Sequence, residues 1–170
     1  KFSARKILYP MIFVTEAGFK ISILKGDSYL ARITKTAYYL GIAEAVAKRS
    51  TCLRRQYGAV IVKNDEIIST GYNGAPRGET NCCERGECWR ALNNIPHGEK
   101  YEACVSVHAE QNAIISASRS EMIGATLYLV GFEDGRKMSP EDVKPCDICR
   151  RLIKNAGIIR VITDEKDELA

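Results

Sequence analysis

Two short stretches limit what this chain can become: SVHAEQNAI at residues 106–114 and KPCDIC at residues 144–149. Each stands where a helix is expected to begin, and the strand-like run ATLYLVGF at residues 125–132 lies between them. The first holds His108, one of only two histidines, and the second holds Cys146 and Cys149. Helix starts present unpaired amides and the positive end of the dipole, which favour the metal-binding thiolate over the thiol. Two thiolates and one imidazole make three protein ligands for a tetrahedral zinc. One position then stays open for water, as in catalytic rather than structural sites. The two helix starts must therefore meet in space. Glu110, two residues after His108, leans toward that open position, where a carboxylate can take up a proton and pass it on. Alone, C-x-x-C also has a redox reading and H-x-E is close to noise. In this order, each opening a helix, they form a specific set.

The pattern around these motifs predicts an α/β domain. Residues 1–35 show no clear period and contain Pro10, Gly18 and Gly26, so they are read as an N-terminal extension, with one domain over 36–170. TAYYLGIAEAVAKR, residues 36–49, places Tyr39, Ile42, Ala43, Val46 and Ala47 on one side and predicts a helix. YGAVIV (57–62) and EIISTGYN (66–73), joined through Lys63, Asn64 and Asp65, predict a β-hairpin. A long irregular segment follows to Tyr101, and such loops are functional or tied down by something. A helix is expected from His108 to about Arg119, with Ala113, Ile114 and Ala117 inward. Another is expected after Lys144, with the stripe Cys149, Leu152, Ile153, Ala156 and a cap at Gly157. IIRVIT (158–163) is the last strand. The order α-β-β-α-β-α-β implies a three-layer α/β/α sandwich on a mixed sheet.

Composition narrows the function classes. No apolar run approaches the length of a membrane span, and the N-terminal patch ILYPMIFV lacks a signal-peptide cleavage pattern, so the cytoplasm is expected. A net charge of +4 suits an anionic small molecule and is too weak to argue for a nucleic-acid partner. Seven cysteines in such a chain read as metal ligands, catalytic groups or buried thiols rather than disulfides.

H-x-E followed by P-C-x-x-C is the known signature of zinc nucleobase deaminases. HAEQNAI with PCDIC resembles the cytidine deaminase superfamily. GYNGAP (71–76) and RSTCLRRQYGAVIV (49–62) are similar to the deoxycytidylate deaminases in particular, over about residues 36–163. The resemblance implies a five-stranded mixed sheet, a zinc-dependent enzyme and hydrolysis of dCMP to dUMP with release of ammonia. Glu110 would be the proton shuttle. The resemblance further implies that the backbone N–H of Ala109 binds the base carbonyl and that Asn73 contacts the sugar, although Asn73 also fits a plain Asn-Gly turn. Ser50 and Arg54 would meet the phosphate, with Arg55 a neighbour of the same chemistry; these also fit an ordinary solvated helix end. A homo-oligomer, a hexamer by resemblance, and dCTP and dTTP as effectors belong to the same expectation.

Phage-type relatives carry a second, structural zinc, and Cys52 and Cys82 match two of its ligands. Cys88 and Cys104 are the simplest completion, with Cys83 and His97 as substitutes and free buried thiols as the plain alternative. Other deaminases share the zinc motif: one for another cytosine nucleotide such as dCTP, one for adenosine in tRNA, one for riboflavin synthesis. A non-catalytic zinc module would fill all four positions and leave Glu110 unexplained.

Overall fold

The computed structural model describes residues 32–96 and 98–166, and the backbone of residues 13–15 and 18–20. Two compact units are present, Lys1–Arg32 and Ile33–Ala170. In the first, β1 (Phe13–Thr15) pairs antiparallel with β2 (Gly18–Lys20). Most of the extension expected at residues 1–35 lies outside the described residues.

The second unit opens with α1 (Lys35–Ala47), capped by the Thr34 hydroxyl, which accepts from the Ala37 N–H at 3.0 Å. β3 (Arg55–Lys63) and β4 (Glu66–Tyr72) form the expected hairpin. Asn64 and Asp65 at its tip both have positive φ, 52° and 66°, as a two-residue turn with the strands' own twist requires. β5 (Thr126–Glu133) pairs antiparallel with β3 along its whole length. On its other side, β6 (Arg136–Lys137) runs antiparallel beside Phe132 and Glu133, and β7 (Arg160–Ile162) runs parallel beside Thr126–Tyr128. The sheet is mixed and five-stranded. Its fifth strand, β6, is two residues long, too short to leave an alternation in the sequence.

Alternate residues of the central strands divide the core into two layers. Val60 and Val62 of β3, with Tyr128 and Val130 of β5, pack against Tyr39, Leu40 and Ala43 of α1. Ala59, Ile61, Leu127 and Leu129 face the opposite way. There they meet Ala109 and Ala113 of α4 (Ala109–Ile115), and Ile153 and Ala156 of α6 (Asp147–Ala156). Both faces of the sheet are thus covered, giving the three-layer architecture. Among the described residues, no helix is long and apolar enough to cross a membrane.

Two expectations need correction. The helix expected from His108 to about Arg119 ends at Ile115. A separate turn, α5 (Arg119–Met122), then begins where Ser118 and Glu121 cap each other reciprocally, Ser118 N–H donating to Glu121 Oε2 at 2.9 Å. The long segment to Tyr101 is not wholly irregular. It contains α2 (Cys82–Arg85), α3 (Trp89–Leu92) and a 3-10 turn at Tyr101–Ala103. None of these is long enough to show a helical period.

Close approach positions the helices. A Cβ on Gly58 would lie 2.0 Å from the Ala43 carbonyl oxygen of α1. One on Gly71 would lie 2.3 Å from both the Ala109 carbonyl oxygen and the Ala113 nitrogen of α4. Gly71 therefore sets the height at which the start of α4 rests on the sheet. Gly71→Ala must push α4 outward. Overpacking of this kind costs about 1–3 kcal/mol, a fall of roughly 3–10 °C in Tm for a chain of this size. Thermal unfolding followed by circular dichroism checks this, and a Tm within a degree of wild type would remove Gly71 from that role.

Candidate metal and active site

His108 and Cys146 are the N-cap residues of α4 and α6, and Cys149 lies in the first turn of α6. Local bonds fix both helix starts. The His108 N–H donates to Gln111 Oε1 at 2.9 Å, and the Cys149 N–H donates to Cys146 Sγ at 3.5 Å. His108 Nδ1 lies 3.5 Å from Cys146 Sγ and 3.4 Å from Cys149 Sγ. Donors held at about 2.0–2.3 Å from one tetrahedral zinc sit about 3.5 Å apart, so the spacing fits that ion. Among the described residues, these three form the group whose ligand atoms all lie within 4.8 Å of one another.

The electrostatics also favour a cation. Cys149 is fully buried, and burial, then Glu110 and Cys146 beside it, push its thiol well up from the ordinary range. Glu110 is buried against the same corner, within hydrogen-bond reach of Cys149 Sγ, and burial raises its carboxyl. The charged forms of Glu110 and Cys149 are thus disfavoured at this corner, and a bound dication would reverse that sign. Burial lowers His108, and the Arg90 guanidinium adds to the shift, so the imidazole stays neutral and able to ligate.

Arg90 carries no motif and escapes a sequence reading. It is buried, donates to the Lys100 carbonyl at 3.0 Å and the Pro96 carbonyl at 2.6 Å, and stands over the Tyr101 ring. Tyr101 in turn meets the His108 ring edge-on at 5.2 Å. The long loop is tied down here, through a buried cation whose partners are backbone carbonyls. Those contacts depend on the loop's path, which no local pattern records.

The other expected residues divide. Asn73, Ala109, Arg54 and Arg55 line one cavity with His108 and Glu110. As the first residue of α4, Ala109 has an N–H with no acceptor within the helix. Asn73 is buried and largely committed. Its Oδ1 accepts from the Tyr57 N–H at 2.7 Å and the Ser50 hydroxyl at 2.8 Å, and its Nδ2 donates to the Arg55 carbonyl at 2.8 Å. Ser50 spends its one proton on Asn73 and so stands behind the site rather than in it. Arg54 donates to the Ile95 carbonyl at 3.3 Å, whereas Arg55 is held by both oxygens of Glu133 at 2.7 and 3.0 Å. Tyr57, unmarked in the sequence, also lines the cavity, its ring lying across Gly131.

Cys52, Cys82, Cys88 and Cys104 border the same cavity, but among the described residues their sulfurs do not gather within 4.8 Å of one another as the donor atoms of His108, Cys146 and Cys149 do. Burial, then Cys52, Cys88 and Cys104, raise the Cys82 thiol. Cys83 is exposed, and His97 lies outside the described residues.

Residues 33–165 match the family model described as the cytidine and deoxycytidylate deaminase zinc-binding region. The chain is 42% identical over 130 residues to the deoxycytidylate deaminase of Mycobacterium phage D29, covering 74% of this chain and 90% of that one. It is 38% identical to the deoxycytidylate deaminase of Schizosaccharomyces pombe, covering 74% of this chain but spanning only 35% of that relative. Among solved structures, the dCMP deaminase of cyanophage S-TIM5 in complex with dCMP and dUMP matches with a TM-score of 0.50 and 28% identity. That match covers 74% of this chain and 76% of the other.

Removing one ligand leaves two, which hold a metal poorly. Cys146→Ala is expected to abolish zinc at this site, measured as zinc per chain after dialysis. Unchanged stoichiometry would show that the metal sits elsewhere.

Proposed function

Since the chain belongs to the cytidine and deoxycytidylate deaminase zinc-binding family, we propose that it hydrolyses dCMP to dUMP and ammonia. The observation that carries this reading is the triangle of His108, Cys146 and Cys149 with Glu110 buried against it, all at one cavity. When bound, zinc supplies the acidity that makes water a nucleophile at neutral pH.

The chain's own residues do the rest. Water adds at C4 of the cytosine ring while Glu110 accepts its proton and delivers it to N3. Glu110 then passes the second proton to the amine at C4, the C–N bond breaks, and ammonia leaves as the C4 carbonyl forms. One water is consumed and one ammonia released. Burial raises the proton affinity of Glu110, which suits a carboxyl that must hold a proton between the two transfers. The Ala109 N–H is assigned to the base carbonyl, and the remaining Nδ2 hydrogen of Asn73 to the sugar. Arg54 is assigned to the phosphate, while Ser50 acts through Asn73. Glu110→Gln is expected to keep zinc and nucleotide but lose on the order of 10²–10⁴ in kcat, because an amide cannot shuttle protons. An ammonia-release assay within a few-fold of wild type would remove Glu110 from the mechanism.

The same reading places a structural zinc among Cys52, Cys82, Cys88 and Cys104, which border the cavity from chain segments with little apolar core of their own. Wild-type protein is then expected to carry two zinc ions per chain. Such sites contribute directly to folding, with apparent binding energies of ~10–16 kcal/mol in small zinc domains. Cys88→Ser is accordingly expected to lower Tm and raise KM more than it lowers kcat. One zinc per chain, or unchanged stability in that variant, would return these residues to free thiols. A cytoplasmic homo-oligomer, hexameric by resemblance, with dCTP as activator and dTTP as inhibitor, completes the proposal.

A further inference from the structure

Four cations border the cavity that holds His108 and Glu110: Arg54, Arg55, Arg90 and Lys144. Three already have work. Arg55 is gripped by both oxygens of Glu133, Arg90 is buried on two backbone carbonyls, and Arg54 gives one donor to Ile95. Lys144 differs: it is exposed and makes no hydrogen bond or ion pair with any described residue.

Its backbone is nonetheless fixed. Val143, one residue earlier, is buried, and its N–H points back to the Ser139 and Pro140 carbonyls at 3.2 and 3.3 Å. Cys146, two residues later, caps α6. An ammonium on a flexible stem is thus mounted on a rigid rim, beside the positive end of a ten-residue helix. Glu110 is the one acidic residue on the cavity wall, and it lies at the reacting end. The arginine and lysine side chains on that wall outnumber its one carboxylate, which suits a substrate that carries an anionic group.

We propose that Lys144 is a specificity-determining residue whose ammonium binds the substrate's 5′-phosphate, together with Arg54. This rests on the dCMP deaminase reading and deepens it. Lys144 sets the preference for a nucleotide over the bare nucleoside, because deoxycytidine brings nothing for it to hold. The metal ligands and Glu110 serve both equally.

The test compares dCMP with deoxycytidine in wild type, Lys144→Gln and Lys144→Arg. For a charge-assisted bond at a solvent-facing rim, Lys144→Gln is expected to raise the dCMP KM about fivefold to tenfold, with kcat within about twofold. The deoxycytidine KM should not move, and Lys144→Arg should restore most of the dCMP affinity. An unchanged dCMP KM in Lys144→Gln, or an equal rise for deoxycytidine, overturns the assignment while leaving the deaminase reading intact. If wild type does not turn dCMP over, that reading fails first. Calorimetric titration of dCMP into both proteins then decides Lys144: weaker binding in the variant supports it, and equal binding, or none in either protein, overturns it.

Discussion

A dry corner holding two thiols, an imidazole and a carboxyl is the constraint on which the rest of the structure depends. Cys149 is fully buried and Glu110 nearly so, and neither has room to take its charge into water. Without a cation, burial disfavours the charged forms of Glu110 and Cys149 and keeps His108 neutral. With a dication the same crowding becomes favourable. The domain must therefore deliver three donors to one point within a few tenths of an ångström.

Two helix starts on one face of the sheet accomplish that. α4 approaches the sheet most closely at Gly71, where a Cβ would meet its backbone, with Ala59, Ala109 and Ala113 in the same core layer. Larger residues there would hold His108 away from the cysteines. α6 is held by Ile153 and Ala156 below and Val143 before its start, so Cys146 and Cys149 sit at fixed height. The parallel pairing of β7 with β5 returns the chain after α6 to the same sheet. Core packing thus becomes metal geometry, and the small residues are as necessary to the site as the ligands.

Legibility in the sequence follows from how local each cause is. The ligands were readable because each is tied to a helix start, and a helix start has its own signature. β3 and β5 were readable as continuous apolar runs, because helices cover both faces of the sheet there. What escaped depends on distant partners. α2, α3 and β6 are too short for a period to develop. The break between Ile115 and Arg119 rests on a Ser118–Glu121 capping box that the surrounding apolar residues disguise as continuous helix. Arg90 is set by the carbonyls of Pro96 and Lys100, which come together only once the loop has folded.

Asn73 shows how a motif residue can carry a structural task beside the one its motif suggests. As a turn residue it would need no side-chain partners, and as a sugar ligand it would need a free amide. The structure gives it three bonds instead, to Tyr57, Ser50 and Arg55, and buries it. Those bonds clip the first residues of β3 to the end of β4, at the point where Arg55 and Tyr57 face the cavity. An amide can do this because it offers donors and an acceptor at once. A carboxylate would lose the bond to the Arg55 carbonyl, and an apolar residue would leave the Tyr57 N–H without its acceptor. Only one Nδ2 hydrogen remains for a sugar. The main task of Asn73 is therefore to hold the wall against which a substrate rests, and any contact with the substrate is made from that fixed position.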